Sequence, residues 1–188
     1  MGRLRRPAGG AMSADAEVAY TVTYLEMAAR PDRPRPHPPV PRGLSLLRAE
    51  TPPAAFFRYL YDTVGRDHKW TDLHALSDDA IAAFAQHPQV ALYVLYLTGW
   101  PAGFIMLDAR EAPVCDIAYF GLAPEAQGRG LGDWLLGTGV HMAWDGAPGK
   151  LTVNTCSLDH PRALPLYQKW GFRPVRREER RRRIAGRA

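Results

Sequence analysis

Residues 114–136 read Val114-Cys-Asp-Ile-Ala-Tyr-Phe-Gly-Leu122-Ala-Pro-Glu-Ala-Gln127-Gly-Arg-Gly130-Leu-Gly132-Asp-Trp-Leu-Leu136. The apolar run from Val114 to Leu122 predicts a strand, Ala123-Pro124 a turn, and Gln127 to Gly132 a glycine-rich loop that opens a helix. Gly128, Gly130 and Gly132 leave the backbone bare where that helix begins. The first amides of a helix have no intrahelical partner, and the helix dipole adds partial positive charge beside them. Together they suit a phosphate or pyrophosphate, and Arg129 adds a full positive charge. The pattern is not Gly-x-Gly-x-x-Gly and no acidic residue follows at a strand end, so a dinucleotide fingerprint fails. Gly-Lys-Ser/Thr is absent too, so a nucleotide P-loop fails.

Working outward, Leu131, Trp134, Leu135, Thr138 and Met142 form the apolar stripe of the predicted helix, which ends near Gly146-Ala-Pro-Gly149. Residues 150–155 read as a strand, 160–170 as a helix stopped by Gly171, and 172–175 as the start of a last strand. Upstream, 90–97 and 102–108 are apolar strands joined by the hairpin Thr98-Gly99-Trp100-Pro101. Residues 53–64 carry helical spacing, and Ser77 caps a second helix that runs to about His87. Residues 20–27 and 44–49 are short strands. The order β, β, α, α, β, β, β, α, β, α, β implies an α/β domain with a mixed, mostly antiparallel sheet and one parallel pair after Val114.

With 188 residues, 46% of them hydrophobic, one domain with a sizeable core is expected. The net charge of +5 is nearly all arginine, since only Lys69, Lys150 and Lys169 are lysines, and GC-rich coding explains that as well as any function. Two cysteines make no disulfide framework and no Cys/His cluster has zinc spacing, so no metal and a reducing, cytoplasmic setting are expected. No signal peptide, and no apolar run of the roughly 20 residues a bilayer requires, is present, so no membrane partner is expected. Residues 1–43 read as an N-terminal extension, disordered at 1–14, with the 20–27 strand and an exposed proline-rich linker at 30–42. Residues 44–177 read as the domain and 178–188 as a solvated basic tail. No base-reading motif accompanies that tail, which argues against nucleic acid as a partner. The 20–27 strand could reach a second subunit's sheet, which leaves a homodimer open.

Gln127-x-x-Gly130-x-Gly132 after a strand resembles the pyrophosphate-binding signature of the GNAT N-acetyltransferase superfamily, Gln/Arg-x-x-Gly-x-Gly/Ala. Further on, Ala163, Tyr167, Gly171 and Phe172 match that family's Asn-x-x-Ala-x-x-x-Tyr-x-x-x-Gly-Phe. His160 replaces the asparagine, and Pro165 stands inside the helix, where its missing N–H is expected to distort the first turn. The element order is also the family's.

The resemblance covers about residues 44–177 and implies the GNAT fold, in which a splayed parallel strand pair is flanked by helices. It implies acetyl-CoA as co-substrate, no metal, and direct attack by a primary amine of a small molecule or peptide on the thioester. Acetyl-CoA contacts are then expected at Leu122, Ala123, Gln127, Gly128, Arg129, Gly130, Leu131, Gly132, Asn154, His160 and Ala163. Backbone N–H groups near Gly121 and Leu122 would polarise the carbonyl.

Tyr167 matches the tyrosine that protonates the CoA thiolate, though its spacing also suits a core aromatic. Asp116 matches the place of a general-base glutamate in the histone-acetyltransferase branch. Burial within an apolar strand would raise its pKa; pairing with an arginine, or exposure at the strand's start, is the other reading. His68, Trp70 and Tyr119 are candidate acceptor contacts, and His68 is a second candidate base or a solvated loop residue. Cys115 and Cys156 read as small core residues. A non-catalytic acyl-CoA sensor is the alternative function, and His160 and Pro165 are what keep it open.

Overall fold

In the computed structural model, which describes residues 16–39 and 43–184, the elements follow the predicted order. They are β1 (Ala16–Met27), β2 (Leu44–Ala49), α1 (Ala54–Gly65), α2 (Asp78–Ala85), β3 (Val90–Leu97) and β4 (Trp100–Asp108). Then come β5 (Val114–Leu122), α3 (Leu131–Asp145), β6 (Lys150–Cys156), α4 (Ala163–Lys169) and β7 (Arg173–Ile184). The seven strands form one sheet in the order β2-β3-β4-β5-β6-β1-β7. Neighbours are antiparallel except β5 with β6. The disorder expected at 1–14 falls outside the described residues, and no helix among them is long and apolar enough to cross a membrane.

Local chemistry accounts for the β3–β4 turn and the start of α2. The β3–β4 hairpin turns on Thr98 and Gly99 alone, with φ of 49° and 92°. Positive φ at both turn residues matches the twist of the flanking strands, so Trp100 and Pro101, expected in the loop, belong to β4. The Ser77 hydroxyl accepts from the Ala80 N–H at 3.2 Å and caps α2, with Asp78 and Asp79 in the first turn beside it.

Apolar side chains fill both faces of the sheet. Phe57, Leu60 and Ile81 from α1 and α2 pack on Val94 and Phe104 on one side. On the other, α3 and α4 pack on Leu25, Ile105, Ile117, Leu151 and Phe172. Every residue of α3 from Trp134 to His141 is buried, so it has no single stripe, and Met142 of the expected stripe is only half-buried.

Three expectations change. First, α4 begins at Ala163 rather than 160, which puts Pro165 in its first turn, where a backbone N–H has no intrahelical partner to lose. The first helical bond, from the Leu166 N–H to the Arg162 carbonyl at 3.0 Å, forms without it, so Pro165 causes no distortion. Second, the last strand continues to Ile184. Residues 178–184, expected as a tail, pair along β1, with Glu179 opposite Thr21 and Arg182 opposite Val18. Both edges of β1 are therefore used within its own chain, which removes the basis for a homodimer through it. Third, the proline-rich segment is largely exposed as expected but is tied to the domain: Arg30 and Arg35 pair with Asp145 at 2.8 and 2.6 Å. His141 Nε2 lies 3.0 Å from the Arg33 carbonyl, and the Arg33 guanidinium covers the Trp170 ring. Residues 40–42 and 185–188 lie outside the described residues.

Because β7 completes the sheet, ending the chain after Val175 strips β1 of a ladder and exposes an edge. Tm is expected to fall by about 10 °C or more, at a few degrees per kcal/mol for a chain of this size. Circular dichroism melting measures it, and removal of a true tail would leave Tm unchanged.

Candidate active site

β5 and β6 pair only from Val114–Lys150 to Asp116–Thr152. Beyond that rung they part, and the edge of β5 from Ile117 to Leu122 lines a cleft of about 680 Å³. Backbone groups on a buried edge require partners, so the gap is a place built for a ligand.

One wall comes from the glycine loop. Gly128 and Gly130 have φ of +76° and +74°, and a Cβ on either would meet nothing within 4 Å, so the loop opens onto free space. Gly130 is the N-cap of α3 and makes no side-chain cap bond, which leaves first-turn amides free for an anion. Gly132 needs no special conformation, since a Cβ there would sit at 3.7 Å from Leu122 and 3.9 Å from Leu166. Gln127, Leu122, Leu131 and Gly132 line the cleft. Ala123 is buried beneath it, donating to the Ala102 carbonyl at 2.9 Å, and the exposed Arg129 is not one of its walls.

Tyr167 rises from α4 into the same cleft, with Asn154, His160 and Ala163 nearby in its lining. Its ring lies 6.0 Å from those of Phe120 and Phe172, edge-on to both. The hydroxyl makes no hydrogen bond among the described residues. Burial first, then the charges of Asp159 and Asp116, push its pKa well above the usual phenol range, so the proton stays on.

The structure does not bring Asp116 into the cleft. It occupies the last paired rung, opposite Asp108 on β4, and accepts the Thr152 hydroxyl at 2.5 Å. It is neither paired with an arginine nor exposed. Burial raises its pKa, Thr152 opposes this and the Asp108 charge adds to it. Asp108 itself is raised by burial, but the stronger pull of its Arg110 bonds holds it low.

The other end of the cleft is aromatic. Trp70 meets Tyr61 at 5.3 Å and Tyr119 at 5.8 Å between ring centres. Burial, then the Asp72 charge, pushes Tyr119 up to about 12. The Trp70 indole donates to Asp159 Oδ1 at 3.1 Å, while Asp159 Oδ2 accepts from the Thr155 hydroxyl and the Cys156 N–H, both at 2.8 Å. His68 lies edge-on to His160 at 6.1 Å. From β7, Arg182 donates to the Lys69 carbonyl at 2.7 Å and to Asp72 at 2.9 Å.

Tyr20, Tyr24, Asp159, Arg180 and Arg182 line the cleft although sequence reasoning did not name them. Asp159 had a faint signal, an acid in the turn before a helix. The arginines had none, because arginine on both faces of β7 hides the alternation of a strand. Cys156 also reaches the cleft, whereas Cys115 is core. Burial pushes the Cys115 thiol up to about 11, with Asp116 adding to it, and raises Cys156 as well, ahead of Asp159; neither is an activated thiolate.

A raised carboxyl pKa in the folded state means that ionisation opposes folding. Wild type therefore loses stability as pH rises from about 4, the unfolded value, toward the folded one. Asp116→Asn keeps an acceptor for Thr152 and carries no charge. Its stability relative to wild type is expected to grow between about pH 4 and pH 7 in urea unfolding; a pH-independent difference would contradict the burial account.

Comparison with known proteins agrees with this geometry. The Acetyltransferase (GNAT) family model matches residues 54–172. No curated protein matches the sequence. Among solved structures, a GCN5-related N-acetyltransferase from Sphaerobacter thermophilus has a TM-score of 0.60 at 18% identity, over 89% of this chain and 53% of that one. A GNAT-family acetyltransferase from Novosphingobium aromaticivorans DSM 12444 has a TM-score of 0.58 at 17% identity, over 94% and 67%. An IAA acetyltransferase from Bacillus cereus ATCC 14579 has a TM-score of 0.51 at 26% identity, over 69% and 77%. The chain spans 61%, 52% and 53% of the length of three of the solved structures it resembles. The matched residues run from α1 through α4 and include the glycine loop and Tyr167, and the chain belongs to the GNAT acetyltransferase family.

Proposed function

We propose that the protein transfers an acetyl group from acetyl-CoA to a primary amine of a small molecule or peptide. The observation that carries this is convergence on one cleft. The uncapped N-terminus of α3, the unpaired edge of β5 and the free hydroxyl of Tyr167 all face it.

Acetyl-CoA supplies a reactive thioester and a pyrophosphate to hold it by. The residues present fit that group. The open space above Gly128 and Gly130 leaves room for phosphate oxygens against the first-turn amides, with Gln127 and Gly132 beside them. The exposed Arg129 adds only screened attraction. Backbone donors near Gly121 and Leu122 would polarise the carbonyl oxygen, and Asn154, His160 and Ala163 would border the pantetheine arm.

The acceptor attacks as a neutral amine. Its nitrogen bonds to the acyl carbon as the C–S bond breaks, and the electron pair leaves on sulfur. Tyr167 gives its proton to that sulfur, and the phenolate regains one that originated on the acceptor nitrogen through water. An acceptor that arrives as an ammonium releases one proton overall. Burial keeps the Tyr167 phenol protonated, and no competing partner among the described residues holds its hydroxyl. His68, Trp70 and Tyr119 border the acceptor side. The sensor reading loses one of its two supports once Pro165 is accommodated, and His160 alone does not favour it.

Tyr167→Phe is expected to bind acetyl-CoA as wild type does and to lose about 10²-fold or more in kcat. Thiol release with a panel of amines, beside calorimetric binding, measures both, and an unchanged kcat would remove the acid role. Gly130→Val forces a branched side chain into a left-handed conformation and fills the anion site. Acetyl-CoA binding is expected to weaken about tenfold or more, with the far-ultraviolet circular dichroism unchanged, provided pyrophosphate binds at this helix terminus.

A further inference from the structure

We propose that Asp159 is the counter-ion for the acceptor's ammonium group, and that the acceptor carries a single primary amine on an aromatic or other flat apolar body. This rests on the acetyl-transfer reading above and specifies its acceptor.

Three carboxylates line the cleft: Asp72, Asp133 and Asp159. Asp72 pairs with Arg182 at 2.9 Å and Asp133 with Lys169 at 2.8 Å. Asp159 has no ion-pair partner among the described residues. It is half-buried, and three hydrogen bonds but no cation among the described residues meet its carboxyl. Its Oδ2 takes two hydrogen bonds, but Oδ1 takes only the one from Trp70. A carboxylate oxygen has two lone-pair sites, so one on Oδ1 stays open for a donor. The charge of Asp159 also acts on the Tyr167 phenol, which places it close to where the amine must react.

The surroundings define what the amine is attached to. Trp70 both donates to Asp159 and packs against Tyr61 and Tyr119, so a molecule anchored on Asp159 lies along those rings. An ammonium near such faces gains a further attraction. Arg180 is paired with Glu178 and Arg182 with Asp72, so among the described lining residues Asp159 is the one carboxylate left for an ammonium, and a second ammonium finds no counter-ion there. Polyamines and aminoglycosides therefore fit poorly.

Asp159 also shapes its own turn, since its N–H donates to the Cys156 carbonyl at 3.0 Å. Asp159→Asn retains one acceptor oxygen for the Thr155 and Cys156 donors of the turn; it removes the charge and replaces the oxygen that accepts from Trp70 with an NH2 donor. Wild type and this variant would be compared with 2-phenylethylamine, its neutral isostere 2-phenylethanol, and spermidine. Turnover is read by thiol release from acetyl-CoA, and binding by tryptophan fluorescence with CoA present. Wild type is expected to prefer 2-phenylethylamine to spermidine. In the variant, KM and the binding constant for 2-phenylethylamine should rise tenfold or more, kcat should change less, and 2-phenylethanol binding should stay the same.

Unchanged amine affinity in the variant would overturn the role of Asp159. Equal loss of amine and alcohol binding would make it a structural residue and overturn it too. Preference for spermidine in wild type would overturn the acceptor class. If wild type released no thiol with any amine yet bound 2-phenylethylamine in an Asp159-dependent way, acetyl transfer alone would fail.

Discussion

The site depends on a parallel ladder that stops after three rungs. β5 and β6 are tied at Val114, Cys115 and Asp116 and nowhere above. Had the pairing continued, the edge of β5 would have satisfied its own backbone and left no cleft. α3 is buried nearly all round and α4 packs on the same face, so neither helix can shift inward to fill the gap. The opening is therefore held by the core on both sides, and its unpaired backbone faces a space of ligand size.

Around that opening, two chemical regions meet. The α3 side is backbone chemistry, with amides, glycines and a helix terminus that need no charged side chain to attract an anion. The far side is side-chain chemistry, with aromatic rings, a carboxylate that has no ion-pair partner among the described residues, and two arginines from β7. Tyr167 stands where both can reach it, its ring clamped between Phe120 and Phe172. An aromatic edge-to-face clamp positions a hydroxyl without consuming its hydrogen-bonding capacity.

Charge placement separates the site from the scaffold. The half-buried Asp108 and the exposed Asp145 are both held low by arginines against some desolvation, and both lie outside the cleft lining. Asp116 is the reverse, raised by burial and held by a threonine, and it sits just below the point where the strands part. Its place at a position that resembles a catalytic glutamate reflects strand register. On that rung its carboxyl is held by Thr152 on β6 and does not line the cleft.

The sequence by itself determined the elements and their order and singled out the glycine loop, because each depends on local rules, while Tyr167 is marked by its match to the family motif. Apolar spacing sets helix and strand, glycine frees the backbone at Gly128 and Gly130, and the Ala163-to-Phe172 spacing marks α4. The second half of the site came only with tertiary structure. Arg180 and Arg182 belong to a strand whose pattern is polar on both faces, and they become site residues because β1 inserts between β6 and β7. Asp159 gains meaning only when Trp70, 89 positions earlier, donates to it across the cleft. Pairings of that kind have no sequence periodicity. They arise from which strand lies beside which, and only the packed sheet decides that.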